Sequence, residues 1–499
     1  MSTFGGKLRG VYDFASVDRF DGENLQSKYF FLSHCHQDHM VGLATDSFRN
    51  VLAESDLRLY CSSVTKILLL ADSRYKSLNP YVVSLEILQP HLFEYHDGEL
   101  SCYLTVTLLP AQHCLGSVMF LFEGVEGSIL YTGDIRLDVA KLKTYRSVLS
   151  PGSLDSIHID TTFLTDSVRW LPSRQEVADV LLKLSRAWLA KSPAHKILLN
   201  TCSRYGHEYL IETLAQRLQL KVHVPSHKFS VFSQVPRLAD CVTCTPANCR
   251  IHACAFWDSE NEPDSCSFDT PASSSSVNSK GMKGRRKRGS RFGLTTVCPD
   301  CKPGDPLWLT IKPSVLYFQL KNASGDCVMK KESENFVRLC YSTHSSKSEI
   351  AAVLRYLKPK QAYPNVVPMG MTYAQAVEAL NNCLTVSDVQ STKYDLKRKA
   401  EALPKDLSAE PAPCKSKIDH PATPETIDLT QSQSSSPSVV DLCSEDDQPS
   451  CIVGKLTVSY SDSSSASGTL NGSQADSSTG AITTNQMSDG GCVSPDLFD

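Results

Sequence analysis

The apolar run Tyr29-Phe30-Phe31-Leu32 passes directly into Ser33-His34-Cys35-His36-Gln37-Asp38-His39. The first segment reads as a short buried strand, so the second falls on the loop at its end. A fold that buries this strand must place three imidazoles and a carboxylate against an apolar edge. Left without partners there, such groups cost roughly 1–3 kcal/mol each. Shared coordination of a cation removes that cost, and nitrogen plus carboxylate donors suit zinc. A solvated polar turn is the competing reading.

Two later segments repeat the pattern. Thr105-Val106-Thr107-Leu108-Leu109 runs into Pro110-Ala111-Gln112-His113, and Ser128-Ile129-Leu130-Tyr131 runs into Thr132-Gly133-Asp134. A lone His or a Thr-Gly-Asp turn is ordinary by itself. Three strands that each end on a potential ligand describe an active-site edge assembled from several loops.

With these segments on view, the chain resembles the metallo-β-lactamase superfamily, and its later motifs resemble the β-CASP nucleases. The resemblance implies an α/β fold: a metallo-β-lactamase αββα sandwich with an inserted β-CASP α/β domain. It also implies that His34, His36 and His113 hold a first metal, that Asp38 and His39 hold a second, and that Asp134 bridges them. Ile157-His158-Ile159-Asp160-Thr161-Thr162-Phe163 matches the family's acidic motif, and Tyr341-Ser342-Thr343-His344-Ser345-Ser346 matches its later His motif. Asp160 and His344 are therefore expected side by side. Residues 17–24, 205–210, 251–254 and 362–368 spell motifs similar to those of the DNA-repair branch, and the resemblance spans residues 1–385.

The RNA-processing β-CASP enzymes carry another zinc-binding His near the end of the catalytic region. Here the matching stretch, Asn365-Val366-Val367-Pro368-Met369-Gly370, contains no imidazole. That is similar to the DNA-directed branch and implies one tight zinc with a weaker second metal, zinc or magnesium/manganese. Lys347 stands where relatives usually have an aromatic residue.

The chemistry follows from the donors. A water on zinc ionises near neutral pH and can attack phosphorus while the metal neutralises charge growing on the phosphoryl oxygens. Asp38 is a candidate acceptor for the water's proton. His344, oriented by Asp160, can bind the scissile phosphate or the departing oxygen. Asp18 reads either as a carboxylate that orients a ligand His or as an ordinary surface group. Ser342 reads as a phosphate contact or a plain loop serine.

At 499 residues the chain can hold a two-domain core plus a tail, and a net charge of −4 means that any basic groove is local. Residues 1–10 lack an apolar leader and no run of 18 apolar residues occurs, so neither secretion nor a membrane partner is expected. Nineteen cysteines in such a chain point to reduced thiols and metal ligation.

Residues 1–167 read as the first part of the catalytic domain, with a short helix over 64–71. Pro172-Ser173-Arg174-Gln175-Glu176 is a helix start leading into apolar positions at helical spacing from Val177. Lys196-Ile197-Leu198-Leu199-Asn200 reads as a buried parallel strand, and 208–218 as another helix. Alternation of helix and strand marks residues 168–334 as the α/β insert, with return to the first domain over 335–385.

The insert holds a second metal candidate. His223, His252 and Cys254, with Cys298 or Cys301, resemble a structural zinc site of the family. The pairs Cys241-x-x-Cys244 and Cys298-x-x-Cys301 could themselves form a four-cysteine site, and spacing alone does not choose; the Ile251-His252-Ala253-Cys254 spelling, similar to the family's, favours the His-His-Cys-Cys set.

Between them, residues 257–292 are Ser-rich and carry Lys283, Arg285, Arg286, Lys287 and Arg288. The basic run reads as a nuclear import signal, a DNA-phosphate contact or a solvated loop. Beyond 386, Ser, Asp, Thr and Pro dominate, and residues 386–499 read as a disordered regulatory tail. Ile427 and Leu429, then Val439, Val440 and Leu442, form short β-prone runs similar to SUMO-interacting motifs. Ser432 and Ser473 precede Gln, the preference of DNA-damage kinases.

The expectation is a zinc-dependent nuclease in the nucleus, processing hairpins, overhangs and 5′ ends of DNA at double-strand breaks in end joining and V(D)J recombination. The family resemblance implies the DNA-dependent protein kinase and DNA ligase IV as partners. The alternatives are a 5′ exonuclease of the crosslink-repair and telomere branch, an RNA-processing β-CASP nuclease, and a SUMO-binding repair scaffold.

Overall fold

The computed structural model describes residues 2–385 apart from 9–10, 98–99, 202, 255–297, 299, 303–304 and 322–326. The expectations for 257–292 and for the tail from 386, including Lys283, Arg285 to Arg288, Ile427, Leu429, Ser432, Val439, Val440, Leu442 and Ser473, lie outside the described residues.

Among the described residues the strands form three sheets. The first is parallel and runs Ala15–Val17, Tyr29–Phe31, Leu59–Ser62, Val82–Leu85. The second runs Gln361–Pro364, Ser156–Ile159, Gly127–Tyr131, Val118–Gly124, Leu100–Pro110, Pro90–Asp97. Its hairpin-linked strands are antiparallel, and Ser156–Ile159 is parallel to both neighbours.

Period-two alternation decides which side chains face which layer. Val17 and Phe31 of the first sheet share a core with Leu104, Val106, Leu108, Phe120 and Phe122 of the second. The Phe31 ring lies 5.3 Å from those of Phe120 and Phe122, which closes the two sheets face to face. On the far side of the second sheet, Leu109, Leu121, Leu130 and Ile157 meet Leu142, Ile350, Leu354 and Leu380. These come from helices Val139–Thr144, Lys347–Leu357 and Tyr373–Thr385. On the far side of the first sheet, Phe30, Leu59 and Cys61 meet Phe48, Leu52, Leu68 and Leu69 of helices Asp46–Glu54 and Ser63–Ala71. The layers are helix, sheet, sheet, helix, the expected αββα sandwich.

The third sheet belongs to the insert. Ser173 caps helix Arg174–Leu189 by a reciprocal bond with Glu176, so the Pro-Ser start acts as read. Strand Lys196–Leu199 and helix Glu208–Leu218 also form. The strand order is Val242–Thr243, Val222–His223, Ile251–His252, Lys196–Leu199, Trp308–Pro313, Phe336–Leu339, Met329–Ser333, parallel except for the last. The ladder between Phe336–Leu339 and Trp308–Pro313 keeps the chain in this sheet past the return expected at 335. The insert's apolar side chains continue the core of the first sheet's helical layer without a break. No helix among the described residues is long and apolar enough to cross a membrane.

Candidate metal centre

The segments that follow strands Tyr29–Phe31, Leu100–Pro110, Gly127–Tyr131, Ser156–Ile159 and Phe336–Leu339 carry the groups that converge. Just beyond their ends lie the 34–39 cluster, His113, Asp134, Asp160 and His344. His36 Nδ1 is 3.1 Å from His34 Nε2 and 3.0 Å from His113 Nε2. The second nitrogen of His113 explains this convergence. His113 Nδ1 faces the Thr343 carbonyl at 2.9 Å, an acceptor only, so Nδ1 carries the proton and Nε2 presents its lone pair to the shared point. Burial, reinforced by neighbouring imidazoles, holds His34 and His113 well below the ordinary histidine pKa. They are neutral, the state in which a metal takes them.

Asp134 turns one oxygen to each side. Oδ2 lies 3.7 Å from His34 and 3.5 Å from His113, and Oδ1 lies 3.3 Å from His39 Nε2. The preceding Gly133 has φ +53°, and a Cβ there would meet Ser33 Oγ at 2.8 Å, so the turn that aims Asp134 requires glycine. Asp38 Oδ2 lies 3.9 Å from His39 Nε2 and accepts the Ser2 backbone N–H at 2.7 Å. Burial opposes its charge, but His39 and His36 outweigh burial and hold Asp38 down to about 2.

The buried atoms His39 Nε2 and Asp134 Oδ1 have no hydrogen-bond partner. Together with the His34, His36 and His113 nitrogens, they are what a site for one or two cations leaves when only protein is considered. Burial disfavours a charged His39, yet Asp134 and Asp18 raise its pKa well above the ordinary value, so this spot demands positive charge. The residues present fit a metal.

Asp18 is no surface group. It is 2% exposed, and Oδ1 accepts the Ser33 N–H at 2.7 Å. Oδ2 faces Ser33 Oγ at 2.5 Å, Tyr131 Oη at 2.9 Å and His39 Nδ1 at 2.8 Å. The last contact puts the His39 proton on Nδ1 and leaves Nε2 toward Asp134.

Asp160 and His344 are brought together at 2.8 Å, and Asp160 Oδ1 accepts from the Thr162 N–H and hydroxyl. Burial works against a charged His344, but Asp160 and Asp134 raise it to about 9. Ser342 is 3% exposed and its Oγ bonds the carbonyl and N–H of His344, so it shapes the loop. Lys347 pairs with Asp166 at 2.7 Å beside it. Asn365 Nδ2 holds the Gly133 carbonyl at 3.1 Å, which sets the stretch lacking a His directly against the Asp134 turn.

In the insert, His223 and His252 are register partners on adjacent parallel strands, and donor atoms of His223, His252, Cys254 and Cys298 lie within 4.8 Å of one another. Each imidazole directs Nε2 at a backbone carbonyl, Cys244 at 3.2 Å and Cys249 at 3.1 Å, leaving Nδ1 for the thiols. Cys301 Sγ lies 3.4 Å from His252 Nδ1, and a hydrogen bond from Cys254 holds Cys301 down to about 5. Both Cys298 and Cys301 are therefore at hand. Cys241 Sγ instead contacts the Arg237 carbonyl at 3.3 Å and Cys244 is exposed, so a four-cysteine site does not assemble.

Ser33, Tyr131, Arg174 and Asn365 stand inside segments read above without being singled out there as supports of the ligands, and Arg136 stands in none of them. Arg136 gave a faint signal by its position two residues after Asp134; the others gave none.

Residues 294–370 match the DNA repair metallo-beta-lactamase family. The chain is 38% identical over 392 residues to the protein Artemis of Gallus gallus, covering 76% of this chain and 50% of that protein. With Artemis of Homo sapiens it shares 36% identity over 453 residues, 86% of this chain and 60% of the relative. With the 5′ exonuclease Apollo of Rattus norvegicus it shares 36% over 228 residues, 46% of this chain and 38% of the other. The chain thus spans roughly half the length of the Artemis proteins it matches.

Proposed function

From an Artemis-like chain of the metallo-β-lactamase/β-CASP kind, we infer a zinc-dependent nuclease that hydrolyses DNA phosphodiester bonds during double-strand break repair. The observation that carries this reading is the double-faced Asp134, set between the His34, His36 and His113 nitrogens on one side and His39 on the other. Zinc bound there supplies Lewis acidity and brings a coordinated water's pKa near neutrality.

The protein's own groups divide the remaining work. A carboxyl held near 2 is a weak base, so Asp38 contributes ligation and negative charge more than proton abstraction. His344, partly exposed and raised in pKa by Asp160 and Asp134 against the pull of burial, is placed to donate to a phosphoryl oxygen while Asp160 fixes its ring. His113, bonded to the carbonyl of Thr343 directly before His344, ties the ligand set to the His344 loop.

The likeness to Artemis supports hairpins, overhangs and 5′ ends as substrates, in end joining and V(D)J recombination. It also supports the DNA-dependent protein kinase and DNA ligase IV as partners. A nuclear location rests on the basic run 283–288, and SUMO binding rests on the runs at 427–429 and 439–442. The stretch 365–370, without a His, favours DNA over RNA.

Cleavage of labelled hairpin DNA, 5′-phosphorylated single-stranded DNA and matched RNA by the full chain, beside Asp134→Asn, tests the proposal. DNA cutting that depends on Asp134 is expected. Preference for RNA would move the chain to the RNA-processing branch. Undiminished cutting by Asp134→Asn would remove the metal mechanism.

A further inference from the structure

We propose that Arg174, at the start of the insert's first helix, is a positioning residue for the metal ligand His113, an inference that rests on the metal-centre reading above. Its side chain crosses from the insert to the ligand loop, where Nη2 donates to the Gln112 carbonyl and, at 3.5 Å, to that of His113. The guanidinium lies 5.9 Å from the Tyr209 ring centroid, and its Nε is buried with no hydrogen-bond partner. Among the described residues Arg174 forms no ion pair with a carboxylate.

The backbone says why a cation is placed there. Gln112 has φ +53°, a left-handed conformation that costs energy in a residue with a side chain, and it directly precedes His113. The carbonyl that Arg174 holds belongs to the peptide joining these two residues, so one guanidinium secures both the disfavoured turn and the ligand's backbone. From the other side, the Thr343 carbonyl holds His113 Nδ1 at 2.9 Å.

Arg136 treats the neighbouring loops alike. It is 4% exposed and donates to the Ser342 carbonyl at 2.9 Å, the Pro172 carbonyl at 2.6 Å and Glu349 at 3.3 Å. Two guanidiniums, that of Arg136 buried and that of Arg174 half-buried, thus fasten the ligand loop, the entry to the insert and the His344 loop to one another. Seating of the insert and the aim of His113 become one event.

Cobalt(II) is a suitable probe in the full chain, because thiolate absorption bands report the Cys254 site separately from the His34, His36 and His113 site. Arg174→Ala is expected to weaken binding at the histidine site roughly 10-fold, at the low end for loss of a group supporting a ligand. The thiolate bands stay unchanged, and Arg174→Lys, which keeps the charge but not the fork, falls between. Gln112→Gly, which accepts φ +53° without strain, is expected to restore affinity severalfold in the Arg174→Ala background. A residue needed only to fold the insert would not be rescued in this way.

Native affinity in Arg174→Ala overturns the proposal, as does a loss that removes the thiolate bands and ignores Gln112→Gly. His113→Ala separates the two layers of inference. If deleting this ligand also leaves cobalt binding unchanged, the metal-centre reading fails instead.

Discussion

Asp18→Asn is a near-isosteric change that probes how the second donor set is built. Asp18 has φ +54°, a region Asn enters readily, so the backbone need not move. An amide can keep one oxygen on the Ser33 N–H, but its NH2 group then meets Ser33 Oγ, Tyr131 Oη and His39 Nδ1. The two hydroxyls can rotate to accept. The imidazole adapts only by moving its proton from Nδ1 to Nε2, the atom that faces Asp134 Oδ1 at 3.3 Å. The substitution therefore blocks the ligand nitrogen while filling the same volume.

Losing a charge-assisted bond costs about 1.5–3 kcal/mol of stability. Removing the group that sets a ligand's tautomer costs about 10–100-fold in metal affinity, or about 1.4–2.7 kcal/mol. Thermal melts with and without zinc measure the first quantity, and chelator competition measures the second. The loss should be larger in the zinc-loaded chain. Zinc affinity within about twofold of the native chain would refute the orientation argument, since twofold lies far below the 10-fold floor.

Other outcomes follow from the same geometry. In the metal-free chain, His344 is raised from its ordinary 6.5 to about 9, so its contribution to stability is fully present below about 6.5 and gone once pH passes through about 9. Asp160→Asn should shift the His344 ring titration to lower pH, followed by NMR, and an unmoved titration would dismiss the ion pair. Cys254→Ser is expected to remove one zinc per chain and lower the melting temperature, whereas Cys241→Ser leaves zinc content unchanged; equal losses by metal analysis would restore the four-cysteine alternative.

Much of the centre was legible because its signals are local. His34, His36, Asp38 and His39 follow one apolar strand, and His113 and Asp134 follow two others. Period-two burial together with a strand end is enough to infer a common edge. The capped helix start at Ser173 and the parallel strand at 196 were equally local. Asp18 was ambiguous because a single carboxylate beside a strand has no periodicity to declare it buried. Its role depends on Ser33 and His39 of one segment and Tyr131 of another.

The zinc site of the insert marks the boundary most clearly. CxxC spacing admitted two ligand sets, and parallel pairing of Val222–His223 with Ile251–His252 decided between them by placing both imidazoles at the same end of the sheet. Cys241 enters the neighbouring strand from the opposite end, before Val242. Arg174 was silent, and Arg136 nearly so, because they grip backbone carbonyls, which every residue carries and no motif records.

By itself, the sequence determined which chemical groups could collect at strand ends and that helix and strand alternate from Ser173 to Leu218, since composition and periodicity are properties of adjacent residues; that this α/β module interrupts a sandwich was implied by the family resemblance. Only the tertiary structure decided which nitrogen of each histidine is free, which cysteines meet and what holds the ligand loops. Those are matters of direction and contact between segments as far apart as Asp18 and Tyr131 or His113 and Thr343.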